Sequence, residues 1–210
     1  MAVNKNVYMG GLSGKMGNLV AYERNGMTHI RKSPEFKKNR KRSEAQLLAE
    51  AKFQFATKFM RNINELVSLT FESTGNLSSR NAALRNIVTQ AVEGTIDNLS
   101  INYSQVLMSG GFLKKCIGSA VSTDPGKINF TWRNNDPVEA RNSDKSVLVA
   151  YCEETDEIWY TSSGPQRSTE AALLDVPFFS DKQVHTWLGF VSSKGKRAAD
   201  SIYTGLLTVA

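Results

Sequence analysis

The sequence contains no long hydrophobic run. No stretch approaches the roughly 18 apolar residues that a membrane-spanning helix needs, and the first residues include no apolar run of signal-peptide length. We therefore expect a cytoplasmic protein or a virion component, with no membrane partner. A hydrophobic content of 40% is ordinary for a globular chain, so extensive disorder is not expected.

Cysteine and histidine are scarce, which argues against a metal centre. Cys116 and Cys152 are the two cysteines, and neither belongs to a CxxC pair. Together with His29 and His185, they do not match the ligand spacing of a zinc finger or ribbon. We expect no bound metal and interpret both cysteines as buried free thiols in a reducing compartment.

Signatures of catalysis and cofactor binding are also missing. The Gly-rich N-terminal region does not match a phosphate-binding loop, because Met9 replaces the first required glycine and Met16 follows Gly14-Lys15 in place of Ser or Thr. Neither histidine belongs to a recognisable nucleophile and base motif. We predict that the protein is not an enzyme, has no cofactor and binds no small-molecule substrate.

Charge is unevenly distributed along the chain. Residues 1–43 hold ten Lys or Arg against two Glu, a net charge of +8, whereas residues 44–210 carry a net charge of −2. Such a basic segment suits an anionic partner, either nucleic acid or the acidic face of a protein. The carboxylates of residues 153–157 are paired in sequence, but we interpret this segment as a solvated hairpin turn.

Residues 1–42 are predicted to form a basic arm built on a β-hairpin. Asn25-Gly26 favours a two-residue turn between the runs Lys15–Arg24 and Met27–Lys32. Both faces of this hairpin carry apolar residues, and an isolated hairpin is marginally stable, so we expect it to pack against other elements. The expected pairs are Arg24 with Met27, Tyr22 with His29 and Val20 with Arg31. The predicted assembly residues are Val7, Tyr8, Leu19, Val20, Tyr22 and Ile30.

The end of the arm, residues 31–42, is a basic linker that Pro34 keeps out of regular structure. It is interpreted as a solvated connector, and the alternative is a surface that contacts phosphates or an acidic partner. The residues that would make such contacts are Arg31, Lys32, Lys37, Lys38, Arg40, Lys41 and Arg42.

Residues 43–95 are predicted to form a helical hairpin. The first helix runs from Ser43 to about Ser73, since Ser43 and Gln46 match a capping box and Gly75 provides a stop. Its apolar stripe at helical spacing is expected to be core, with Phe55 and Phe59 buried together. The second helix is predicted from about Ser79 to Glu93, ended by Gly94.

Residues 96–210 alternate short β-rich runs with turns, which is typical of an antiparallel sandwich. A leading strand is expected within residues 99–111. The seven strands that follow are Lys115–Ser122, Lys127–Arg133, Lys145–Cys152, Glu157–Ser162, Ala171–Val176, Val184–Val191 and Asp200–Val209.

The C-terminal half resembles a fibronectin type III-like module. Trp132 would be its second-strand core tryptophan, and Leu173 or Leu174 its fifth-strand core residue. Trp187 stands where the sixth strand of such a module usually carries tyrosine. The resemblance implies a fibronectin type III or immunoglobulin-like sandwich, so the expected fold class is α+β, with an N-terminal hairpin arm, a helical hairpin and a C-terminal antiparallel sandwich.

Nearly the whole chain also resembles an uncharacterised bacterial family of about this length, whose function is unknown. The matching pieces are Gly14-Lys15-Met16-Gly17, Asn25-Gly26, Ile30-Arg31, Pro34, Tyr103, Ser109-Gly110-Gly111, Phe130-Thr131-Trp132 and Ser201-Ile202-Tyr203.

Two hypotheses for function follow. The first is a non-enzymatic structural protein, in a virion or an intracellular assembly, that forms a homo-oligomer or joins other subunits through its N-terminal arm. The second is a nucleic-acid-binding protein that uses residues 31–42.

Overall fold

The computed structural model divides the chain into two compact units, Met1–Arg42 and Ser43–Ala210. The helices and the C-terminal strands therefore belong to one unit, and the N-terminal strands form the other. The structure describes residues 2–4, 13–35, 41–73, 77–134, 142–195 and 197–210.

The N-terminal unit contains an antiparallel sheet of four strands in the order β1-β4-β3-β2. The Asn25-Gly26 turn has positive φ at both residues, 54° and 70°, as a type I′ turn requires. The predicted hairpin register is confirmed, since Tyr22 pairs with His29. The strands are β1 (Ala2–Asn4), β2 (Gly14–Met16), β3 (Leu19–Arg24) and β4 (Met27–Lys32).

The prediction of one continuous run from Lys15 to Arg24 is wrong. A turn at Gly17-Asn18 separates β2 from β3, and Met16 then pairs with Leu19. Gly17 has a φ of 57°, which a residue with a Cβ adopts only at a cost. Glycine at this position therefore allows a second tight hairpin.

The second unit begins with helix α1 (Glu44–Thr70). Its predicted capping box is confirmed, because the Ser43 hydroxyl accepts from the backbone N–H of Gln46 at 3.3 Å and the Gln46 side chain accepts from the backbone N–H of Ser43 at 3.1 Å. Gly75, the predicted stop, lies outside the described residues. The helix ends at Thr70, and Phe71 is already extended.

The second helix is shorter than predicted. Helix α2 covers Ser79–Asn86, a π-helical turn covers Ile87–Ala91, and strands β5 (Val92–Thr95) and β6 (Asn98–Ile101) follow as a hairpin. Gly94 therefore lies within a strand and does not end a helix. Its φ is 100°, and a Cβ there would collide with the carbonyl of Asn98.

The leading strand predicted within residues 99–111 is also wrong in extent. β6 ends at Ile101, and a short 3₁₀ turn occupies Tyr103–Gln105. The Asn102 side chain accepts from the backbone N–H of Ser104 at 3.2 Å. This local bond stabilises a turn in place of a continued ladder.

Seven further strands form two antiparallel sheets, and their bounds lie within two residues of the predicted ones. One sheet has the order β10-β9-β12-β13 and the other has the order β11-β8-β7. The strands are β7 (Ile117–Val121), β8 (Lys127–Arg133), β9 (Lys145–Cys152), β10 (Glu157–Thr161), β11 (Ala171–Asp175), β12 (Gln183–Val191) and β13 (Ile202–Thr208).

The two central strands of the four-stranded sheet, β9 and β12, are buried on both faces, so the second unit has three layers. On β9, Val147 and Val149 belong to a core shared with the two helices, whereas Leu148 and Ala150 belong to a core shared with the three-stranded sheet. Adjacent strand residues point to opposite faces. The fold is therefore mixed α+β with antiparallel sheets.

Key core predictions are confirmed. Trp132 is 4% exposed and lies between the two sheets. Leu174 is the buried residue of β11, and Leu173 faces solvent. Phe59 is buried on α1, whereas Phe55 is only half-buried, so those two rings are not buried equally. Within the described residues, none of the helices combines the length and the apolar character needed to cross a membrane.

Candidate interaction surfaces

The N-terminal sheet has almost no interior of its own. Among its described residues with assigned burial, only Ala21 and Thr28 are buried. Of the predicted assembly residues, Val20, Tyr22 and Ile30 are half-buried and Leu19 is 45% exposed. The remaining two, Val7 and Tyr8, lie outside the described residues.

One face of this sheet carries an exposed apolar pair. Met16 and Leu19 are directly opposite each other on β2 and β3, and each is 45% exposed. Lys32 on β4 is the partner of Leu19 on its other side. Because cross-strand partners share a face, these three side chains form a basic and apolar surface, which we call the donor surface.

The predicted basic contacts are only partly described. Arg31, Lys32, Lys41 and Arg42 are exposed, and Lys32 forms a 3.1 Å ion pair with Glu35. The other three, Lys37, Lys38 and Arg40, lie outside the described residues. On the opposite face of the sheet, the Arg31 guanidinium lies 5.8 Å from the centre of the Tyr22 ring.

The turn between β9 and β10 concentrates negative charge. Residues 153–157 include four carboxylates and no Lys or Arg, and all four carboxylate residues are exposed. Asp156 fixes the shape of this acidic turn, because its Oδ1 atom accepts from the Tyr151 hydroxyl and from Asn62 Nδ2, each at 2.6 Å. The solvated turn predicted from the sequence is therefore also tied to helix α1.

An apolar cleft adjoins the acidic turn. Its volume is about 390 Å³, and its lining includes Asn62, Glu157, Trp159 and Phe178. The Trp159 and Phe178 rings lie 5.9 Å apart and are 46% and 71% exposed. Large exposed aromatic side chains grouped in a cleft are typical of a surface that binds a partner.

The cleft lies beside an open sheet edge. β10 is the terminal strand of its sheet and pairs with β9 alone among the strands of the described chain. An edge strand leaves backbone N–H and C=O groups available to another strand. The sequence pattern predicts β10 within one residue of its observed bounds. Its position at the edge depends on the order of strands in the sheet, which local patterning does not encode.

His185 lies next to Glu153, the first residue of the acidic turn. Its ring stacks on Tyr103 with centroids 4.0 Å apart, its Nδ1 atom is 2.8 Å from the Tyr203 hydroxyl, and its Nε2 atom is 3.8 Å from Glu153. Burial lowers the pKa of His185, and the Glu153 carboxylate opposes that shift. Burial, with a further contribution from Glu153, raises the pKa of Tyr103 to about 12. Both pKa shifts favour the neutral forms of the His185 and Tyr103 rings. We therefore assign these stacked rings a structural role beside the acidic turn.

A buried ion pair lies between the two sheets. Arg167 and Asp144 are each 1% exposed, and Arg167 Nη2 is 3.6 Å from Asp144 Oδ2. The Arg167 guanidinium also lies 4.0 Å from the Phe190 ring centre and donates to the Lys114 carbonyl at 2.9 Å. These contacts hold the loop before β11 in place, and we assign the pair a structural role.

Among the residues that the structure describes, no group of three or more His, Cys, Asp or Glu side chains could hold a metal ion.

A search of curated proteins finds no match to this sequence. A family model does match, over residues 11–205, and its description is "Family of unknown function (DUF6266)". Since the match covers most of the 210 residues, the chain belongs to this family of unknown function.

Proposed function

We propose that the protein is a non-enzymatic structural subunit that assembles with further copies of itself through its N-terminal sheet. The observation that carries this proposal is the scarcity of buried residues in that sheet, where Ala21 and Thr28 are the buried ones described. Covering a Val- or Leu-sized side chain contributes about 1.5–3 kcal/mol. The half-exposed apolar residues of both faces therefore favour docking on a partner.

The charge distribution supports association between copies. The N-terminal segment carries +8 and the remainder carries −2, so the arm of one copy is attracted to the body of another. Complementary charges of this kind speed encounter and disfavour like-with-like contacts. Head-to-tail association of two different surfaces produces rings or filaments.

The proposed class of the C-terminal module is fibronectin type III-like. The first, second and fifth of its seven strands form one sheet, and the third, fourth, sixth and seventh form the other, which is the division that such a module has. Trp132 on the second strand supports the same assignment. By analogy of fold, such a module suits an adhesive or structural unit.

Light scattering combined with size-exclusion chromatography tests the proposal on the full chain without nucleic acid. We expect a mass above that of the 23.2 kDa monomer, rising with protein concentration, and rings or filaments in negatively stained micrographs. If the protein stays monomeric at every concentration up to about 1 mM, the proposal is wrong, because a dissociation constant above that value is too weak for a specific assembly.

The alternative function, nucleic-acid binding through residues 31–42, is favoured by the exposed side chains of Arg31, Lys32, Lys41 and Arg42. It predicts that affinity for random duplex falls steeply with salt, with a log–log slope near −0.9 for each phosphate contacted. Assembly without nucleic acid and a shallow slope together favour the structural subunit.

A further inference from the structure

We propose that the outer edge of β10, the Trp159–Phe178 cleft and the acidic turn together form the acceptor surface for the N-terminal sheet of a second copy of this chain. This inference rests on the proposed function and names the site that self-assembly would use. It commits to one occupant, the donor surface of Met16, Leu19 and Lys32.

The aromatic pair provides the apolar part of the acceptor surface. Trp159 lies on the edge strand itself, and Phe178 lies on the 3₁₀ turn Pro177–Phe179 before β12. Their ring centroids are 5.9 Å apart, yet Trp159 is 46% and Phe178 71% exposed. Tryptophan is among the residue types that contribute most binding energy in protein interfaces.

The acidic turn provides the electrostatic part. Its four carboxylates face a partner segment that holds ten Lys or Arg against two Glu. The bonds from Tyr151 and Asn62 to Asp156 hold the turn in one conformation before any partner arrives. Preorganisation of this kind reduces the ordering cost of binding.

Charge selects this edge over the edge at β7. Ile117 and Val121 are also exposed apolar residues of a terminal strand. However, Lys115 precedes that strand and Arg133 is the direct partner of Ile117. A basic arm would be repelled there, whereas the turn that leads into β10, residues 153–157, holds four carboxylates and no Lys or Arg.

The donor surface has matching chemistry. Met16 and Leu19 form an exposed apolar pair beside Lys32, and a flexible methionine adapts readily to an aromatic surface. Among the strands that the structure describes, β2 is the terminal strand of the N-terminal sheet and pairs with β3 alone. This edge of the donor can therefore meet the edge of β10, as in recognition by strand addition.

Three double variants of the full chain test the site. Trp159→Ala with Phe178→Ala removes the acceptor aromatics, and Met16→Asp with Leu19→Asp removes the donor pair. Ile117→Ala with Val121→Ala is the matched control, because it truncates an exposed apolar pair on β7, the terminal strand of the three-stranded sheet. Circular dichroism and urea denaturation establish that each variant is folded before its assembly is measured.

Sedimentation velocity over a concentration series supplies the measurement. We expect the acceptor and donor variants each to weaken assembly by about 30-fold or more, the effect of losing one central interface residue, and the control to assemble like the unaltered protein. When the two weakened variants are mixed, each retains the surface that the other lacks. The mixture should therefore form 1:1 pairs that grow no further.

The outcomes separate this inference from the proposed function. If the unaltered protein is monomeric, the proposed function fails. If it assembles and the acceptor variant assembles equally well, self-assembly stands and the β10 site is wrong. Loss of assembly in the Ile117→Ala, Val121→Ala control alone would place the interface at β7.

A second pair of substitutions covers the case in which the aromatic variant does not fold. Glu154→Lys with Glu157→Lys reverses two exposed charges of the acidic turn and leaves Asp156 and its anchoring bonds in place. We expect at least a 10-fold loss of assembly at low salt, with a smaller loss at high salt because exposed charges are then screened. An unchanged midpoint at low salt would overturn the acceptor assignment.

Discussion

The indole N–H of Trp132 donates a 2.7 Å hydrogen bond to the backbone carbonyl of Arg167. The Trp132 ring also packs edge-on against Phe190, with centroids 5.5 Å apart, while the Arg167 guanidinium lies over Phe190. One side chain therefore joins the three-stranded sheet, the four-stranded sheet and the loop before β11.

Replacing Trp132 with alanine should lower the free energy of unfolding by about 3–5 kcal/mol, because the change deletes a buried large aromatic and leaves a cavity. Chemical denaturation followed by circular dichroism measures the loss. Trp159→Ala is the matched control, since that ring is exposed on β10, and we expect it to cost less than about 1 kcal/mol. Equal effects of the two substitutions would contradict the assignment of Trp132 to the core.

The substitution Phe59→Asp should prevent folding. Phe59 is buried on α1 and packs edge-on against Tyr151 at 5.3 Å and Tyr103 at 6.1 Å, so a carboxylate there would be stranded among apolar rings. Phe53, six residues earlier on the same helix, is 53% exposed. Phe53→Asp should therefore give soluble protein, and expression of both variants provides the measurement. Soluble, cooperatively unfolding Phe59→Asp protein would show that this face of α1 is not core.

His185 should make the protein less stable at acidic pH. Its pKa in the folded state lies below its ordinary value, chiefly because of burial. At pH 7.5 the ring is neutral in the folded and the unfolded state, so the full contribution of His185 to the free energy of unfolding is present. As the pH falls through about 6.5, the unfolded state binds the proton first, so stability decreases.

The variant His185→Gln isolates this contribution from other titrating groups. We expect the difference in unfolding free energy between the unaltered protein and the variant to shrink as the pH falls from 7.5 to 5. Urea denaturation at several pH values supplies the measurement. Parallel stability curves would show that His185 does not titrate as the structure implies.

The two cysteines should react slowly in the folded protein. Cys116 and Cys152 are buried free thiols, and burial raises the pKa of Cys116 to about 11, so little reactive thiolate forms near neutral pH. A colourimetric thiol reagent should detect two thiols after denaturation and almost none before it. Fast reaction of either cysteine in folded protein would require an opening of the inter-sheet core.

Local patterning was sufficient to predict the seven C-terminal strands and the Asn25-Gly26 turn, but it missed the Gly17-Asn18 turn and strand β5. Asn25-Gly26 predicted the hairpin register because its backbone preference is intrinsic to those two residues. The alternation of Ile128, Phe130 and Trp132 predicted β8, since every second side chain is buried. Ser43 and Gln46 predicted the start of α1 in the same local way.

The layers could not be predicted in this manner. β9 is buried at seven of its eight positions, so its sequence lacks the polar alternation that would assign a face. The cause is the helical layer, whose contacts with Val147 and Val149 connect distant parts of the chain. The π-helical turn at Ile87–Ala91 likewise has no local signal, because its residues are compatible with an ordinary helix.

The candidate acceptor surface shows the same division. The sequence revealed the acidic residues, but the bond from Asn62 to Asp156 spans 94 positions and has no local signal. The exposure of Trp159 and Phe178 depends on which strand forms the sheet edge. Only the sheet order, known from the structure, brings edge, cleft and charge together.

The covering of the four-stranded sheet by helices also has a consequence for synthesis. During synthesis, α1 and α2 emerge from the ribosome before β9 and β12. The apolar faces of the two helices therefore stay uncovered until Val149 and Trp187 have also emerged. During that interval the nascent chain exposes a surface that chaperones bind. A genetic fusion that begins at β7 would lack both helices and would expose the apolar face of the four-stranded sheet that they cover. We therefore expect that the C-terminal strands do not fold as an independent domain.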